Sequence, residues 1–202
     1  MMLAGVVLAG GRSSRMDGRD KALLPLGGET LTGRAVRRLS VQVPLLALSA
    51  NGDAARFCLA GVDIVADGDD SRSGPLAGIL AGLRWAAMQL PRPGALLSVA
   101  VDAPFFPPDL AARLAAATDK PDIIAVAACG GARHPTFALW PLTVASALTD
   151  FLAKGGRKVG AFIEAQPHLV VDFPAPKDFD PFFNINTPAD LAEAEATLRR
   201  LT

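Results

Sequence analysis

Cysteine and histidine are scarce in this chain, two of each, and they lie far apart. Cys58 and Cys129 form no CxxC pair, and only His134 and His168 can add nitrogen ligands, so a zinc site is unsupported. Both cysteines are expected as small buried hydrophobes. An excess of one charge is missing too. Lys+Arg 20 against Asp+Glu 20 leaves a formal net charge of zero, so no global field favours nucleic acid or an acidic membrane, and any anion site must be local. Long hydrophobic runs are absent. The first residues, Met1 to Gly5, carry no basic n-region, and the apolar stretch after them breaks at Gly10, too short for a signal or a span. The reading is cytoplasmic, with no membrane and no nucleic-acid partner. There is no repeat, and Pro91-Arg92-Pro93 and Phe173 to Pro176 read as surface connections.

What remains is ample apolar material: 202 residues, 50% hydrophobic, enough for one core and a single domain over 1–202. Short apolar runs recur at Val6 to Ala9, Leu45 to Ser49, Asp63 to Ala66, Ala95 to Val101 and Ile123 to Ala128. Between them Leu31 to Leu39 and Leu76 to Met88 carry apolar residues at spacings of three and four, and Pro107-Pro108-Asp109 starts a helix through Leu114. Strands alternating with helices predict a three-layer α/β/α fold on a mostly parallel, twisted, Rossmann-like sheet. Ligands of such sheets sit at the carboxyl ends of the strands.

The residues after each strand are therefore the ones to read. The first strand opens into Leu8-Ala9-Gly10-Gly11-Arg12-Ser13-Ser14-Arg15-Met16, with Lys21 beyond. Glycines let a backbone approach an anion, and Arg15 and Lys21 can neutralise phosphate charge; a plain structural turn is the other reading. The loop is neither a Walker motif, because Lys21 trails the glycines and is followed by Ala22, nor a dinucleotide fingerprint, because Ser13 and Ser14 stand where the third glycine belongs. The second strand ends at Ser49-Ala50-Asn51-Gly52, the third at Asp67, the fourth at Asp102-Ala103-Pro104. Asp102 emerges from an apolar strand, where its carboxylate suits Mg²⁺ on nucleotide phosphates or caps a turn. Gly74-Pro75 opens a helix with proline in its first turn, and the amides there can meet an anion or a base edge. Thr187, Pro188 and Asp190 read as a helix start, which leaves Asn184 and Asn186 as two amides on one face of a short strand.

In chain order, Leu8-Ala9-Gly10-Gly11, Ser14-Arg15-Met16, Asp20-Lys21-Ala22, Gly74-Pro75-Leu76-Ala77-Gly78, Asp102-Ala103-Pro104, His134-Pro135-Thr136 and Asn184-Ile185-Asn186-Thr187-Pro188 resemble the molybdenum cofactor guanylyltransferases, within the GT-A-like nucleotidyltransferases. The resemblance spans nearly the whole chain. It implies transfer of GMP from GTP, with Mg²⁺, to molybdenum-molybdopterin, releasing pyrophosphate. Leu8, Ala9, Gly10 and Asp67 would contact the nucleoside, Lys21 the phosphates and Asp102 the metal, with Lys21, Arg15 and Asp102 carrying catalysis. Gly11, Ser49, Asn51, Gly74 and Pro75 fall on the nucleotide side. Asn184, Asn186 and the basic turn Lys154 to Lys158 are candidates for the pterin, the turn being equally a solvated helix end. The N-terminal half then serves GTP, and the C-terminal part serves molybdopterin and transient partners such as cofactor-insertion proteins or target molybdoenzymes. Related CTP enzymes resemble Leu-Ala-Ala-Gly, so the methyl missing at Gly10 is expected to give a purine room. Two departures stand out: Ser49 where relatives often carry asparagine, and Asp17 where glycine is common. A cytidylyltransferase and a non-catalytic cofactor carrier are the competing readings.

Overall fold

The computed structural model describes residues 1–10, 20–67, 74–91, 93–118, 120, 122–175 and 179–201. Nine strands are described: β1 (Met2–Leu8), β2 (Pro25–Leu26), β3 (Glu29–Thr30), β4 (Leu45–Ser49), β5 (Asp63–Val65), β6 (Gly94–Ala100), β7 (Ile124–Cys129), β8 (Ala132–Pro141) and β9 (His168–Asp172). Six α-helices accompany them: α1 (Leu31–Ser40), α2 (Pro75–Gln89), α3 (Leu110–Ala116), α4 (Ala145–Ala153), α5 (Val159–Glu164) and α6 (Pro188–Leu201). Seven strands form one sheet in the order β5-β4-β1-β6-β8-β7-β9, and β2 and β3 form a small separate hairpin.

The sheet is parallel except at β8, which runs against both β6 and β7. β1 lies between β4 and β6 and is paired on both sides from Ala4 to Leu8. Strands buried on both faces must feed two cores, and two are present. Val7, Leu97 and Val99 face a cluster with Leu31, Leu39, Leu110, Leu114 and Ala194 of α1, α3 and α6. Val6, Leu8 and Leu96 face the opposite cluster, with Leu76, Leu83, Leu148 and Phe162 of α2, α4 and α5. The three-layer α/β/α expectation holds. The sequence gives no expectation for β8, α4, α5 or β9, whereas α6 begins at Pro188 as expected.

Close packing of α2 on the sheet depends on two residues without side chains. A Cβ on Gly82 would stand 3.0 Å from Leu96 and 3.1 Å from Val6, and one on Gly78 would overlap the Ser49 hydroxyl. The Cys58 expectation fails: this cysteine is exposed, whereas Cys129 is buried. Cys58 caps a short 3₁₀ turn at a φ of 50°, which places it at a surface corner.

One buried polar chain ties β6 to β8. Trp140 Nε1 donates to Ser98 Oγ at 2.8 Å, and that hydroxyl donates to the Thr136 carbonyl at 2.7 Å. Ser98 and Trp140 are both fully buried. Ser98→Ala leaves an indole N–H with no acceptor and is expected to cost about 1–3 kcal/mol. Urea unfolding should show this as a lower midpoint at unchanged slope; an unmoved midpoint would mean that the chain is dispensable.

Candidate active site

The parallel strands all end on one edge of the sheet, and the reversed β8 begins there. On that edge opens a cavity of about 360 Å³, lined by Leu8, Ala9, Gly10, Asp20, Lys21, Ala22, Pro75, Ala100, Val101, Asp102, Thr136, Asn184 and Asn186. Its size falls within the range of small-molecule sites.

Lys21 is set by a short 3₁₀ turn over Lys21–Leu23. The Asp20 carboxylate accepts the Ala22 N–H at 3.1 Å and the Arg56 guanidinium at 3.1 Å, and Thr32 Oγ1 on α1 donates to the Ala22 carbonyl at 2.7 Å. A turn pinned at both ends aims the lysine into the cavity. Its ammonium donates to Asp102 Oδ2 at 3.0 Å and to Asn186 Oδ1 at 2.8 Å.

Asp102 follows β6 directly, and the neighbouring backbone is held by Val101 N–H on the Leu8 carbonyl at 3.2 Å. Helix α3 is preceded by Asp109 as its N-cap, and the Asp102 carboxylate, about a quarter exposed, turns to Lys21. The Asp102 carbonyl accepts the Ile185 N–H at 2.8 Å, which brings the Asn184 to Asn186 segment across the chain to the site. That segment carries no strand, contrary to expectation. It is an irregular lead-in to α6, bonded to the sheet edge at one point. The helix start reads as expected: Asp190 Oδ2 accepts the N–H groups of Asn186 at 2.7 Å and Thr187 at 2.8 Å, and Thr187 Oγ1 accepts the Asp190 N–H at 3.2 Å. Those bonds, the Asn186 one foremost, hold the Asp190 carboxyl below the usual carboxylate range.

Asp67, Ser49 and Asn51 are brought together beside the cavity rather than along its described wall. Ser49 is buried and donates its hydroxyl to Asp67 Oδ1, while Asn51 Nδ2 donates to Asp67 Oδ2 at 3.1 Å. A Cβ on residue 10 would sit 2.7 Å from Asp67 Oδ2. A methyl group at Gly10 would thus meet the Asp67 carboxylate. Gly74 caps α2 at φ 61° and ψ −146°, a conformation open to glycine, and Pro75 follows as the first helical residue. Gly11, Arg15 and Asp17 lie outside the described residues.

Thr136 and Asp20 were not singled out from the sequence as site residues. Thr136 reaches the cavity only because β8 is antiparallel and so starts on the catalytic edge; its place in His134-Pro135-Thr136 was the one available signal. His134 itself is off the described cavity wall, stacked on Phe182 at 4.5 Å, and burial pushes its imidazole down while Asp180 partly opposes the shift. The basic turn is not brought to the described cavity either. Arg157 spends its guanidinium on the carbonyls of Leu152 and Gly156, closing the end of α4.

The model of the MobA-like NTP transferase domain matches residues 5–169. A molybdenum cofactor guanylyltransferase of Mesorhizobium japonicum is 49% identical over 204 residues, covering 99% of this chain and 98% of that protein. The chain belongs to the molybdenum cofactor guanylyltransferase family. It is a nucleotidyltransferase. The fold of this guanylyltransferase is shared by molybdopterin-guanine dinucleotide biosynthesis protein A of Archaeoglobus fulgidus, at a TM-score of 0.74 and 24% identity over 98% of this chain and 99% of the other. A Mycobacterium tuberculosis protein solved in complex with manganese has the same fold, at a TM-score of 0.63 and 24% identity over 98% of this chain and 100% of the other. No helix among the described residues is long and apolar enough to cross a membrane.

Proposed function

We propose that this guanylyltransferase transfers GMP from GTP to the terminal phosphate of molybdenum-molybdopterin, in the cytoplasm, forming the guanine dinucleotide cofactor and releasing pyrophosphate. The observation that carries the reading is the position of Lys21 between Asp102, at the end of β6, and Asn186, from the C-terminal segment. One cation stands where the donor nucleotide and the acceptor must meet. Residues 1–202 act as a single domain, with Leu8 to Gly10, Asp67 and Pro75 on the nucleotide side and Asn184 and Asn186 on the pterin side. The dinucleotide product then passes to transiently bound insertion proteins or target molybdoenzymes.

The barrier lies in bringing an anionic acceptor phosphate onto the anionic α-phosphate in line. That acceptor needs no proton removed, so the site needs no general base; His134, the histidine nearest in sequence to the lining residue Thr136, is itself off the described wall. Lys21 trades its present partners for phosphate oxygens and neutralises charge that builds on them. Asn184 and Asn186 orient the acceptor, which converts an encounter into a positioned reaction.

The donor set fits Mg²⁺. Among the described residues no three acidic, His or Cys side chains gather into a metal cage; Asp102 is a hard oxygen donor opening into the cavity, whereas the Asp20 carboxylate on its wall is taken up by the Ala22 N–H and Arg56. Mg²⁺ on nucleotides is held in this way, by one or two carboxylates, substrate phosphates and its own waters. When bound it supplies charge neutralisation at the reacting phosphate. The fold neighbour carrying manganese is consistent with a divalent ion in this architecture.

The deciding experiment is GTP-dependent conversion of molybdenum-loaded molybdopterin in Mg²⁺, read as pyrophosphate release together with the dinucleotide product, with CTP as control. GTP turnover should far exceed CTP turnover. Equal rates would remove the guanylyl assignment, and pterin binding without turnover would leave a carrier.

A further inference from the structure

Arg56 is not on the described cavity wall, yet it is bonded to the residue that precedes the site lysine. It belongs to the short 3₁₀ turn over Ala54–Phe57, which starts at Asp53, whose carboxylate accepts the Ala55 N–H at 2.9 Å. Three contacts fix its guanidinium. Nη1 donates to the Asp53 carbonyl at 2.8 Å, Cζ lies 4.3 Å from the centre of the Phe57 ring, and Nε donates to Asp20 Oδ2 at 3.1 Å. Phe57 is itself buried in the core. A Cβ on Gly52 would stand 3.2 Å from Nη1, so the bare residue at φ 82° also leaves the guanidinium its room. The arginine is an anchored group, and the carboxylate of Asp20, 36 residues away in the chain, is brought to it.

Charge explains why that link matters. Among the described residues that line the cavity, the charged ones are Asp20, Lys21 and Asp102, so two carboxylates share one ammonium. Lys21 answers Asp102 at 3.0 Å. Asp20 alone would leave a net negative charge on the wall of a site that must admit a polyphosphate, one residue from the lysine that must meet it. Arg56 answers Asp20 from behind the wall. Both oxygens of that carboxylate are then engaged, because Oδ1 takes the Ala22 N–H at 3.1 Å and caps the Lys21 turn while Oδ2 takes Arg56. A carboxylate held at both oxygens cannot swing towards the phosphates or towards the lysine ammonium.

We propose that Arg56 is a positioning residue for the transfer: by holding the Asp20 carboxylate it keeps that charge off the incoming phosphates and leaves Lys21 free for them. The inference rests on the guanylyl-transfer reading and adds to it a residue that acts only through Asp20. The Arg56–Asp20 pair is partly exposed, with side chains 28% and 37% accessible, so breaking it should change the melting temperature little.

The test is a double-mutant cycle on GTP binding by calorimetry and on steady-state transfer at saturating Mg²⁺, with thermal unfolding as the folding control. Arg56→Gln removes the charge and should raise the GTP Kd and lower kcat/KM, each about tenfold, the size of a coupling between neighbouring groups. Arg56→Lys keeps the charge without the planar fork and should fall between that variant and wild type. Asp20→Asn keeps an acceptor for the Ala22 N–H and removes the charge that Arg56 answers. In that background Arg56→Gln should cost less than about twofold, because nothing is left for the arginine to hold. A loss that persists undiminished with Asp20→Asn would show that Arg56 acts on its own, and Arg56→Gln indistinguishable from wild type would show that the link is idle; either result would overturn the proposal. Should Arg56→Gln fail to fold, the same cycle is closed with Arg56→Lys. Wild type that binds GTP yet transfers nothing would instead remove the transfer reading, while the cycle on GTP binding still decides the role of Arg56.

Discussion

Asp102→Asn is expected to lower GMP transfer about a thousandfold while leaving the fold in place. The carboxylate is the hard anionic donor that β6 delivers into the described cavity, and its loss would remove the counter-charge of Lys21 and, on the proposed reading, the protein ligand of the metal. Several kcal/mol of transition-state charge stabilisation depend on such a ligand, and each ~1.4 kcal/mol is a factor of ten in rate. Folding should be nearly untouched for three reasons. Asparagine has the same size. Its amide oxygen can still accept from Lys21. The backbone bond from Ile185 N–H to the residue 102 carbonyl uses no side chain. The ion pair itself is partly exposed, with side chains 19% and 24% accessible, and pairs of this kind contribute little to stability. Turnover should therefore fall at an unchanged melting temperature. Normal turnover in this variant would remove Asp102 from the metal site, and a collapse in melting temperature would show that the residue is structural.

Lys21→Met is expected to separate two observables that wild type keeps together. Without the ammonium, charge on the reacting phosphates goes unneutralised, and kcat with GTP should fall by about two to three orders of magnitude, as when one preorganised donor to developing charge is removed. Asp102 meanwhile loses the cation that now occupies its Oδ2. A metal ion arriving at the free site no longer has to displace a competitor, so Mg²⁺ binding to the free enzyme should tighten even as turnover drops. Titration of the nucleotide-free protein with Mg²⁺ and steady-state assays at saturating Mg²⁺ check the two halves. Weaker Mg²⁺ binding in the variant would show that Lys21 organises Asp102 rather than competing for it. Asn186→Ala, which removes only the second partner of Lys21, is the matched control and should leave Mg²⁺ binding close to wild type.

Much of this site was legible because a parallel sheet makes position along the chain equivalent to position in space. Leu8, Gly10, Ser49, Asp67 and Asp102 stand at or just past the ends of four strands, and pairing of β1 with β4 and β6, and of β4 with β5, puts those strand ends side by side. Asp102 could be named without coordinates for that reason, and Lys21 from the Asp20-Lys21-Ala22 motif beyond the first strand's loop. Asn184 and Asn186 were found as a motif, but as a strand; a segment with one backbone bond to the sheet has no periodicity from which its conformation can be read. Thr136 was missed because strand direction is not written in strand composition. β8 begins with the polar Arg133, His134 and Thr136 and turns apolar only from Phe137, and the two-glycine turn at Gly130-Gly131, both at positive φ, reverses it against β7.

Gly10 shows the division most sharply. The sequence by itself determined that a residue without a side chain stands at the end of the first strand, that Asp67 and Asp102 follow strands, and that with a balanced net charge any anion site must be local. It could not say what uses the space at Gly10. Only the tertiary structure decided that: β5 lies next to β4, so Asp67 reaches back across the sheet edge, Asn51 and Ser49 close on its two oxygens, and one oxygen comes to rest where a methyl group would be. Contacts between residues 10, 51 and 67 arise from strand order, and strand order is set by how whole layers pack.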